Sequence, residues 1–433
     1  MKTNRPAMLY NLFPLLAGPF SRWRQHLERA ARMGFNWVFV NPVSYPGFSG
    51  SLYAVKDYFS FNSLLLDERP DLDQFSQFRA AVNTAHELGL RFMIDLVINH
   101  TAIDSLLVRE HPAWYKRDRK GKIKNPGVWE GDKLVTVWGD LAEIDNEGSP
   151  ERESLWEYWG KLVDWYINQG IDGFRCDAAY KVPAALWRNL IPRARERNVE
   201  VAFFAESLGC TVDKVVMLAE SGFDYVFNSS KYWDYLEPWC LSQYEQSRQL
   251  APSVSFPESH DTPRLAAELK DCPDAVRQRY TFAALFSTGL LLPIGFEFGF
   301  TRRLHVVRTR PEDWENTGVD LTGFIAAVNR FKLGRAIFCV EQPTYSFGLH
   351  PGTGEVTGII KVAGKAGPSA LILLNRNLQK PQRAVIDDIG RCLPGRGEIK
   401  LFDPLRDFFG EAVGENAFSR ELSPAGILVL LRG

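Results

Sequence analysis

The sequence predicts an α/β fold: a (β/α)8 barrel with a small subdomain inserted after its third strand, followed by a C-terminal antiparallel β-sandwich domain. Three observations predict this architecture. Short apolar runs alternate with helical patterns as far as Gly334, the connection over residues 101–150 is unusually long, and helical patterns stop after Gly334. A regular alternation of strands and helices is typical of a parallel sheet covered by helices.

The strands are predicted from short apolar runs and the helices from apolar residues at helical spacing, such as Phe75, Phe78 and Val82. The predicted strands are Ala7–Pro14, Trp37–Val43, Arg91–Ile98, Ile171–Cys176, Val201–Ala205, Phe223–Phe227, Ser253–Phe256 and Leu290–Phe296. The predicted helices are Ser21–Met33, Asp71–Leu88, Arg152–Asn168, Pro183–Arg197, Val212–Ser221, Ala275–Ser287 and Leu321–Lys332. These runs are continuously apolar, which indicates strands buried on both faces. Their number favours a closed barrel over a doubly wound open sheet, which would also be expected to begin with a Gly-rich turn.

Two segments depart from the alternation and define the predicted domains. Residues 101–150 are rich in Gly, Pro, Trp and charge, and we expect a small subdomain over the barrel mouth. After residue 334 the β-like runs are Ala336–Gln342, Tyr345–Leu349, Thr357–Val362, Ala370–Leu374, Glu398–Phe402 and Gly426–Leu431. The barrel is therefore assigned to residues 1–100 and 151–334, the inserted subdomain to 101–150, and the β-sandwich to 335–433.

The charge balance argues against nucleic acid or a membrane surface as a partner. Lys and Arg total 51 against 52 Asp and Glu, a formal net charge of -1, so a neutral ligand is expected. No apolar stretch is long enough to cross a membrane, and the first residues lack the apolar core of a secretory signal. The six cysteines show no disulfide or metal spacing, and together these features predict a cytoplasmic protein. The sequence does not indicate an oligomeric state.

Side chains suited to acid–base and nucleophilic chemistry occur in or directly after the predicted strands. They are Asp95, His100, Arg175, Asp177, Glu206, His260 and Asp261. In a (β/α)8 barrel the carboxyl ends of the strands surround one cavity, so we expect these side chains to converge there. Arg175 and Asp177 are two residues apart and face the same side of their strand. A guanidinium beside a carboxylate favours the ionised form that a nucleophile requires.

Four short stretches carry a resemblance to a known family. They are Asp95-Leu-Val-Ile-Asn-His100, Gly173-Phe-Arg-Cys-Asp-Ala-Ala-Tyr-Lys181, Phe204-Ala-Glu-Ser207 and Glu258-Ser-His-Asp261. In this order and on these strands they resemble the α-amylase family of retaining glycoside hydrolases and transglycosylases. Ser259 stands where the family often has Asn, which bears on the substrate more than on the mechanism.

The resemblance implies a role for each matching residue. It makes Asp177 the nucleophile, Glu206 the acid and base, and Asp261 the carboxylate that holds sugar hydroxyls. It also implies that Arg175 orients Asp177 and that Asp95 supports the site. Further substrate contacts are expected from Tyr53, by stacking under the sugar, and from His100 and His260, by hydrogen bonds. Each of these three could instead be an ordinary packing residue.

The resemblance also bears on the acceptor side and on cofactors. Tyr180 and Lys181 are candidates for the acceptor side, although a solvated loop would explain them equally well. Asn99 matches a position that binds calcium in some family members, but no D-x-[DN]-x-[DN]-G loop is present. We therefore expect no required cofactor and no catalytic metal, and a structural calcium ion is not favoured.

The sequence leaves three candidate functions, of which two are enzymatic and one is non-catalytic binding. The first is a retaining α-glycosidase acting on neutral α-glucans or maltooligosaccharides. The second is an α-glucan transglycosylase, such as a maltosyltransferase, in which a sugar or phosphate acceptor replaces water at the same glycosyl-enzyme. The third is a non-catalytic glycan-binding protein, which the presence of Asp177, Glu206 and Asp261 disfavours.

Overall fold

The computed structural model describes residues 6–68, 72–130, 133–270, 272–350, 353–364 and 367–433. Its central element is a closed barrel of eight parallel strands. We number them β1 (Met8–Leu12), β2 (Trp37–Val40), β3 (Arg91–Leu96), β4 (Gly173–Cys176), β5 (Ala202–Ala205), β6 (Tyr225–Phe227), β7 (Ser253–Ser255) and β8 (Gly289–Pro293). The (β/α)8 prediction is confirmed, and the closed sheet rules out the open doubly wound alternative.

Eight helices follow the barrel strands in turn. They are α1 (Arg24–Arg32), α2 (Gln74–Glu87), α3 (Arg152–Asn168), α4 (Ala184–Arg197), α5 (Val212–Ala219), α6 (Trp239–Ser247), α7 (Pro273–Phe286) and α8 (Thr322–Leu333). The second helix begins after Asp73, whose side chain accepts hydrogen bonds from the main-chain N–H groups of Phe75 and Ser76. Asp71, the predicted first residue of this helix, lies outside the described residues. The helix between β6 and β7 was not predicted from the sequence.

The chain forms two compact units. The first holds residues 9–227 and 304–314, and therefore includes β2 to β6. The second holds residues 228–303 and 315–433 with a short N-terminal segment that includes Met8. It contains β7, β8 and the C-terminal sheets.

In the first unit, the register of three neighbouring strands positions the polar residues at their ends. Arg175 on β4 pairs with Asp95 on β3, and Cys176 pairs with Ala205 on β5. The strands approach closely at Gly173, where a Cβ atom would lie 2.9 Å from the carbonyl oxygen of Ala202. Only glycine fits this position without moving the neighbouring strand.

The inserted segment after β3 is built mainly from short hairpins. His100–Ala102 pairs with Leu141–Glu143, and Gly127–Glu130 pairs with Lys133–Val137. A short helix, Leu106–Glu110, lies between them in sequence. Because His100–Ala102 directly follows β3, its pairing with Leu141–Glu143 brings the end of the insertion back beside the end of β3. A further hairpin, Ser44–Pro46 with Val55–Phe61, follows β2 and was not predicted.

In the second unit, the C-terminal part contains a six-stranded antiparallel sheet and a two-stranded sheet. The strands are β9 (Thr344–Phe347), β10 (Val356–Val362), β11 (Ser369–Asn375), β12 (Gln382–Ile386), β13 (Ile399–Phe402), β14 (Glu411–Val413), β15 (Phe418–Leu422) and β16 (Ile427–Arg432). Alternate residues of β11 face opposite sides. Ile372 joins a core with Phe282 of α7, whereas Leu371 packs with Ile386 of β12 and Phe418 of β15. The predicted β-sandwich is confirmed.

One predicted C-terminal strand is wrong. Residues 336–342 were expected to be β-like, but Ala336–Phe338 forms a 3-10 turn directly after α8. Ile337 and Phe338 are buried in the same core as α7, so their apolar character reflects a packed turn. The predictions also missed β12, β14 and β15, which carry exposed polar residues that weaken the strand pattern.

The predicted domain boundaries and the predicted absence of membrane and nucleic-acid partners stay predictions, as does the cytoplasmic location. Within the described ranges, no helix combines the length and the apolar character that crossing a bilayer demands.

Candidate active site

A buried ion network joins the ends of β3 and β4. The guanidinium of Arg175 lies 2.9 and 2.8 Å from the two carboxylate oxygens of Asp95, and 2.8 Å from Oδ1 of Asp177. Side-chain exposure is 5% for Arg175, 0% for Asp95 and 15% for Asp177, so water screens these charges little. Burial by itself lowers the pKa of Arg175, but the neighbouring charges, Asp95 first, raise it well above its usual value. Arg175 is therefore a permanent cation between two carboxylates.

A chain of hydrogen bonds extends this network across the first three strands. Asn11 donates to Asn41 at 2.8 Å, Asn41 donates to the hydroxyl of Tyr53 at 2.9 Å, and that hydroxyl donates to Asp95 at 2.7 Å. Tyr53 is therefore held by its hydroxyl, and its predicted stacking on a sugar stays a prediction. Asn11 and Asn41 were missed from the sequence. Each of them could have been recognised as a single polar residue in or directly after an apolar strand, because a buried polar side chain needs a hydrogen-bond partner.

A second donor holds Asp177 from the side of β3. The side-chain amide of Asn99 lies 2.9 Å from the carbonyl oxygen of Asp177 and 3.2 Å from its Oδ2. The sequence suggested only a calcium-site role for Asn99 and missed this contact. Together, Arg175 and Asn99 contact both carboxylate oxygens of Asp177, so the orientation of this carboxylate is fixed.

His100 lies beside this network with both ring nitrogens in contact with protein groups. Its Nδ1 contacts the side-chain oxygen of Asn99, and its Nε2 lies 3.1 Å from the carbonyl oxygen of Tyr53. Burial lowers the pKa of His100, against the opposing charge of Asp177. The predicted hydrogen bond of His100 to substrate stays a prediction, and forming it would require exchange of one of these partners.

Glu206 is held at the end of β5 by main-chain donors. Its Oε2 accepts a hydrogen bond from the N–H of Ala178 at 2.9 Å, and its Oε1 accepts one from the N–H of Leu208 at 2.7 Å. The N–H of Glu206 itself bonds to the carbonyl oxygen of Cys176 at 3.1 Å, so parallel pairing continues to this residue. Asp177 and Glu206 thus occupy equivalent positions at the ends of adjacent strands.

The backbone turns sharply immediately after Asp177. Ala178 has φ 41° and ψ 48°, a left-handed conformation that costs a non-glycine residue about 1–2 kcal/mol. This conformation directs the N–H of Ala178 to Glu206 and begins the turn Ala179–Lys181. Sequence reasoning could not find the residue, because alanine gives no signal of a positive φ. Strain of this kind is concentrated at functional sites.

The two predicted acceptor-side residues lie in the turn after Ala178. Tyr180 is partly buried, and burial, followed by the charges of Glu206, Cys210 and Asp177, raises its pKa to about 12. Lys181 is exposed, with its ammonium 5.5 Å from the centre of the Trp138 ring. Tyr180 is therefore close to the carboxylate pair, and the role of both residues toward an acceptor stays a prediction.

The other two predicted residues, His260 and Asp261, belong to the second unit. They follow β7, and the Nε2 of His260 lies 3.0 Å from Oδ2 of Asp261, whose side chain is 55% exposed. The loop is anchored by Glu258, which pairs with Arg264 at 2.8 Å with both side chains 1% exposed. Burial raises the pKa of Glu258, and Arg264 opposes that rise. The convergence of Asp261 with Asp177 and Glu206 stays a prediction.

Carboxylates at the ends of the fourth and fifth strands, an insertion after the third strand and a C-terminal β-sandwich are the features expected from the resemblance to the α-amylase family. Comparisons with known proteins find similarity to the same family. The profile described as "Glycogen debranching enzyme, glucanotransferase domain" matches residues 8–118. The α-1,4-glucan:maltose-1-phosphate maltosyltransferase of Burkholderia pseudomallei is 26% identical over 99% of this chain.

Solved structures show the same fold over nearly the full chain. An α-amylase from Lactobacillus plantarum matches with a TM-score of 0.76 at 20% identity, covering 99% of both chains. The maltogenic α-amylase AmyB from Thermotoga neapolitana matches with a TM-score of 0.75 at 21% identity, covering 99% of this chain and 98% of the other. The predicted resemblance to the α-amylase family is confirmed. The chain spans 38% of the length of the Burkholderia maltosyltransferase.

The described residues contain no cluster of three or more His, Cys, Asp or Glu side chains arranged to hold a metal ion. This finding does not test the calcium prediction, because calcium also takes amide and main-chain oxygens as ligands. The expectations of no required cofactor, no catalytic metal and no favoured structural calcium ion therefore stay predictions.

The ion network predicts a specific pattern of stability changes. Arg175→Met leaves two carboxylates without their partner, so we expect the free energy of unfolding to fall by about 3–5 kcal/mol. The double variant Arg175→Met, Asp95→Leu should recover part of this loss, because it also removes the more deeply buried charge. Denaturant-induced unfolding measures both.

The matched control is Arg24→Met, which breaks a pair with Glu87 in the same unit whose side chains are 53% and 62% exposed. This change should cost about 1 kcal/mol or less. Equal losses for Arg24→Met and Arg175→Met would contradict the structural importance of the buried network.

Proposed function

We propose that this chain cleaves or transfers α-glucosidic bonds with retention of configuration, with Asp177 as nucleophile and Glu206 as acid and base. One observation carries the proposal: two carboxylates end adjacent, paired strands, and each is held by its own donors. Adjacent parallel strands lie about 4.8 Å apart. The carboxyl groups of retaining glycosidases are separated by about 5–5.5 Å, whereas inverting enzymes need a larger gap for water.

In the first step, an oxygen of Asp177 attacks the anomeric carbon and forms a glycosyl ester. Arg175 and Asn99 contact both oxygens of this carboxylate, so little reorientation is needed before attack. The charge on Arg175 stabilises the carboxylate that is regenerated when the ester is cleaved. Asp95 fixes Arg175 from its opposite side and acts as a positioning residue.

Glu206 donates a proton to the leaving oxygen and later removes a proton from the acceptor. The N–H groups of Ala178 and Leu208 fix its carboxylate plane, so the same oxygen can serve both steps. One of these N–H contacts comes from the residue next to Asp177, so the positions of the acid and the nucleophile are linked. The roles that the resemblance implies for Asp261 and His260, which are to hold the sugar hydroxyls, stay predictions.

The substrate class follows from charge balance and from the named relatives. A formal net charge of -1 and paired charges at the site suit a neutral α-linked oligosaccharide or glucan. Transfer is the second candidate function, and the specific observation that favours it is the Burkholderia relative, whose name describes a maltosyltransferase. The two activities share Asp177 and Glu206 and differ in which acceptor reaches the glycosyl-enzyme. The intact carboxylates argue against a protein that only binds glycans.

The acid role of Glu206 predicts dependence on the leaving group. Glu206→Gln should slow glycosylation by about 100-fold or more on unactivated maltooligosaccharides, because the leaving oxygen is no longer protonated. It should slow glycosylation by 4-nitrophenyl α-glucoside much less, because that leaving group departs without help. Pre-steady-state kinetics separates this step from deglycosylation.

Asp177→Ala is the control, since loss of the nucleophile should abolish turnover of both substrates. If Glu206→Gln slowed glycosylation by the two substrates equally, Glu206 would not be the acid.

Hydrolysis and transfer are distinguished by the products formed from maltoheptaose. Hydrolysis predicts that only shorter sugars accumulate, initially as α-anomers. Transfer predicts chains longer than the substrate, or a sugar phosphate when inorganic phosphate is present. Mass spectrometry gives product length, and proton NMR gives the anomer formed first. A first product with the β-configuration would contradict the retaining mechanism for either activity.

A further inference from the structure

Two loops of the second unit, each following a barrel strand, are tied together by one buried arginine. They are the β7 loop, residues 258–265, and the β8 loop, residues 294–303. Arg264 of the β7 loop donates hydrogen bonds to the main-chain oxygens of Ile294 at 2.9 Å and Arg302 at 3.1 Å. Its side chain is only 1% exposed, so these are buried hydrogen bonds, which are costly to break. Both ends of the β8 loop are therefore fixed against the β7 loop.

The β8 loop is also anchored and closely packed within itself. The carboxylate of Glu315 accepts hydrogen bonds from the N–H of Thr301 at 2.9 Å and from its hydroxyl at 2.7 Å. At Gly295, where φ is +94°, a Cβ atom would lie 2.4 Å from the ring of Phe300 and 3.1 Å from Nη2 of Arg264. Only glycine fits this position, because it takes a positive φ freely and leaves room for both neighbours. The backbone of the β8 loop is therefore a firm support for the side chains at its end.

The last side chain of the β8 loop reaches Asp261. Nη2 of Arg303 donates a hydrogen bond to the main-chain oxygen of Asp261. Within the β7 loop, the N–H of Asp261 donates to the hydroxyl of Ser259 at 3.2 Å, and Nε2 of His260 lies 3.0 Å from Oδ2 of Asp261. The main chain of Asp261 is thus held on its N–H side by its own loop and on its C=O side by the β8 loop.

The support from Arg303 matters because the carboxylate of Asp261 is less enclosed than that of Asp177. Side-chain exposure is 55% for Asp261 and 15% for Asp177. A half-exposed carboxylate on a loop is only as well oriented as the main chain that carries it, because loops hold site residues less precisely than strands do. A contact that fixes the main chain at Asp261 therefore restricts the positions that its carboxylate can take.

We propose that Arg303 is a positioning residue, which holds Asp261 where its carboxylate can bind sugar hydroxyls. Arg264 and Glu315 support Arg303 by fixing the β8 loop from which it extends. This inference rests on the proposed function, because the resemblance to the α-amylase family is what gives Asp261 a role toward the sugar. Arg303 makes no contact with the sugar in this proposal, and its effect on turnover passes through Asp261.

The experiment is a double-mutant cycle between Arg303→Met and Asp261→Ala, measured as kcat/KM on 4-nitrophenyl α-glucoside. Arg303 is exposed, so its loss should leave folding intact, whereas loss of the buried Arg264 risks unfolding both loops. With Asp261 present, Arg303→Met should lower kcat/KM about fivefold, because the loop loses one charged hydrogen bond. In the Asp261→Ala background the fall should be less than about twofold, because the carboxylate that Arg303 positions is already gone. Equal falls in both backgrounds, or no fall in either, would overturn the proposal.

Two further variants test whether the contact itself is responsible. Arg303→Lys keeps a charged donor for the main-chain oxygen and should restore most of the lost kcat/KM. Arg330→Met removes another exposed arginine, on α8 of the same unit, and should leave kcat/KM unchanged. If Arg330→Met caused the same fall as Arg303→Met, a general effect of surface charge would explain the loss, and the proposal would be overturned.

Hydrogen–deuterium exchange separates this inference from the proposed function, because it needs no turnover. In the Arg303→Met protein, the amides of residues 259–262 should exchange about threefold faster or more, since the loop has lost an anchor. Turnover of α-glucosides together with unchanged exchange at these amides would overturn this inference and leave the proposed function standing. A wild-type protein that turns over no α-glucoside would overturn the proposed function, and faster exchange would then still support the contact between Arg303 and the β7 loop.

Discussion

The site depends on one buried interaction, the contact of the Arg175 guanidinium with Asp95 and Asp177. These charged side chains are almost fully buried, so removing one partner alone leaves a buried charge without compensation. The register between β3 and β4 places Arg175 directly opposite Asp95, and the two-residue period of β4 brings Asp177 to the same side. A shift of one residue would turn these side chains to the opposite face and leave a charge buried among helices.

Most of the fold could be predicted because buried parallel strands are continuously apolar and their helices keep the helical period. The carboxylates were also predictable, since Asp177 and Glu206 interrupt apolar runs where strands end. Features that depend on exposed or polar residues were missed, such as the edge strand β14 and the hairpin beginning at Ser44. Apolar content alone also misled at 336–342, because a buried turn and a short strand have similar composition.

The missed parts of the site are contacts that only the backbone path creates. Asn99 could be placed near the site from its motif, but not against Asp177, because that contact depends on how the chain turns into the insertion. The left-handed Ala178 has no signature in composition, yet it supplies an N–H to Glu206. The contact of Lys181 with the Trp138 ring joins residues from separate segments, so spacing along the chain could not reveal it.

The contacts of Ala178 and Leu208 link the expected nucleophile and acid through the short segments that follow β4 and β5. The central claim is that the carboxylate of Asp177 becomes covalently attached to the sugar. Its most direct test is incubation with a fluorinated α-glucosyl fluoride, which forms the glycosyl-enzyme but slows its breakdown, followed by peptide mass spectrometry. The account predicts one glycosyl ester, on Asp177. An ester on a different residue, or no ester from a protein that turns over α-glucosides, would contradict it.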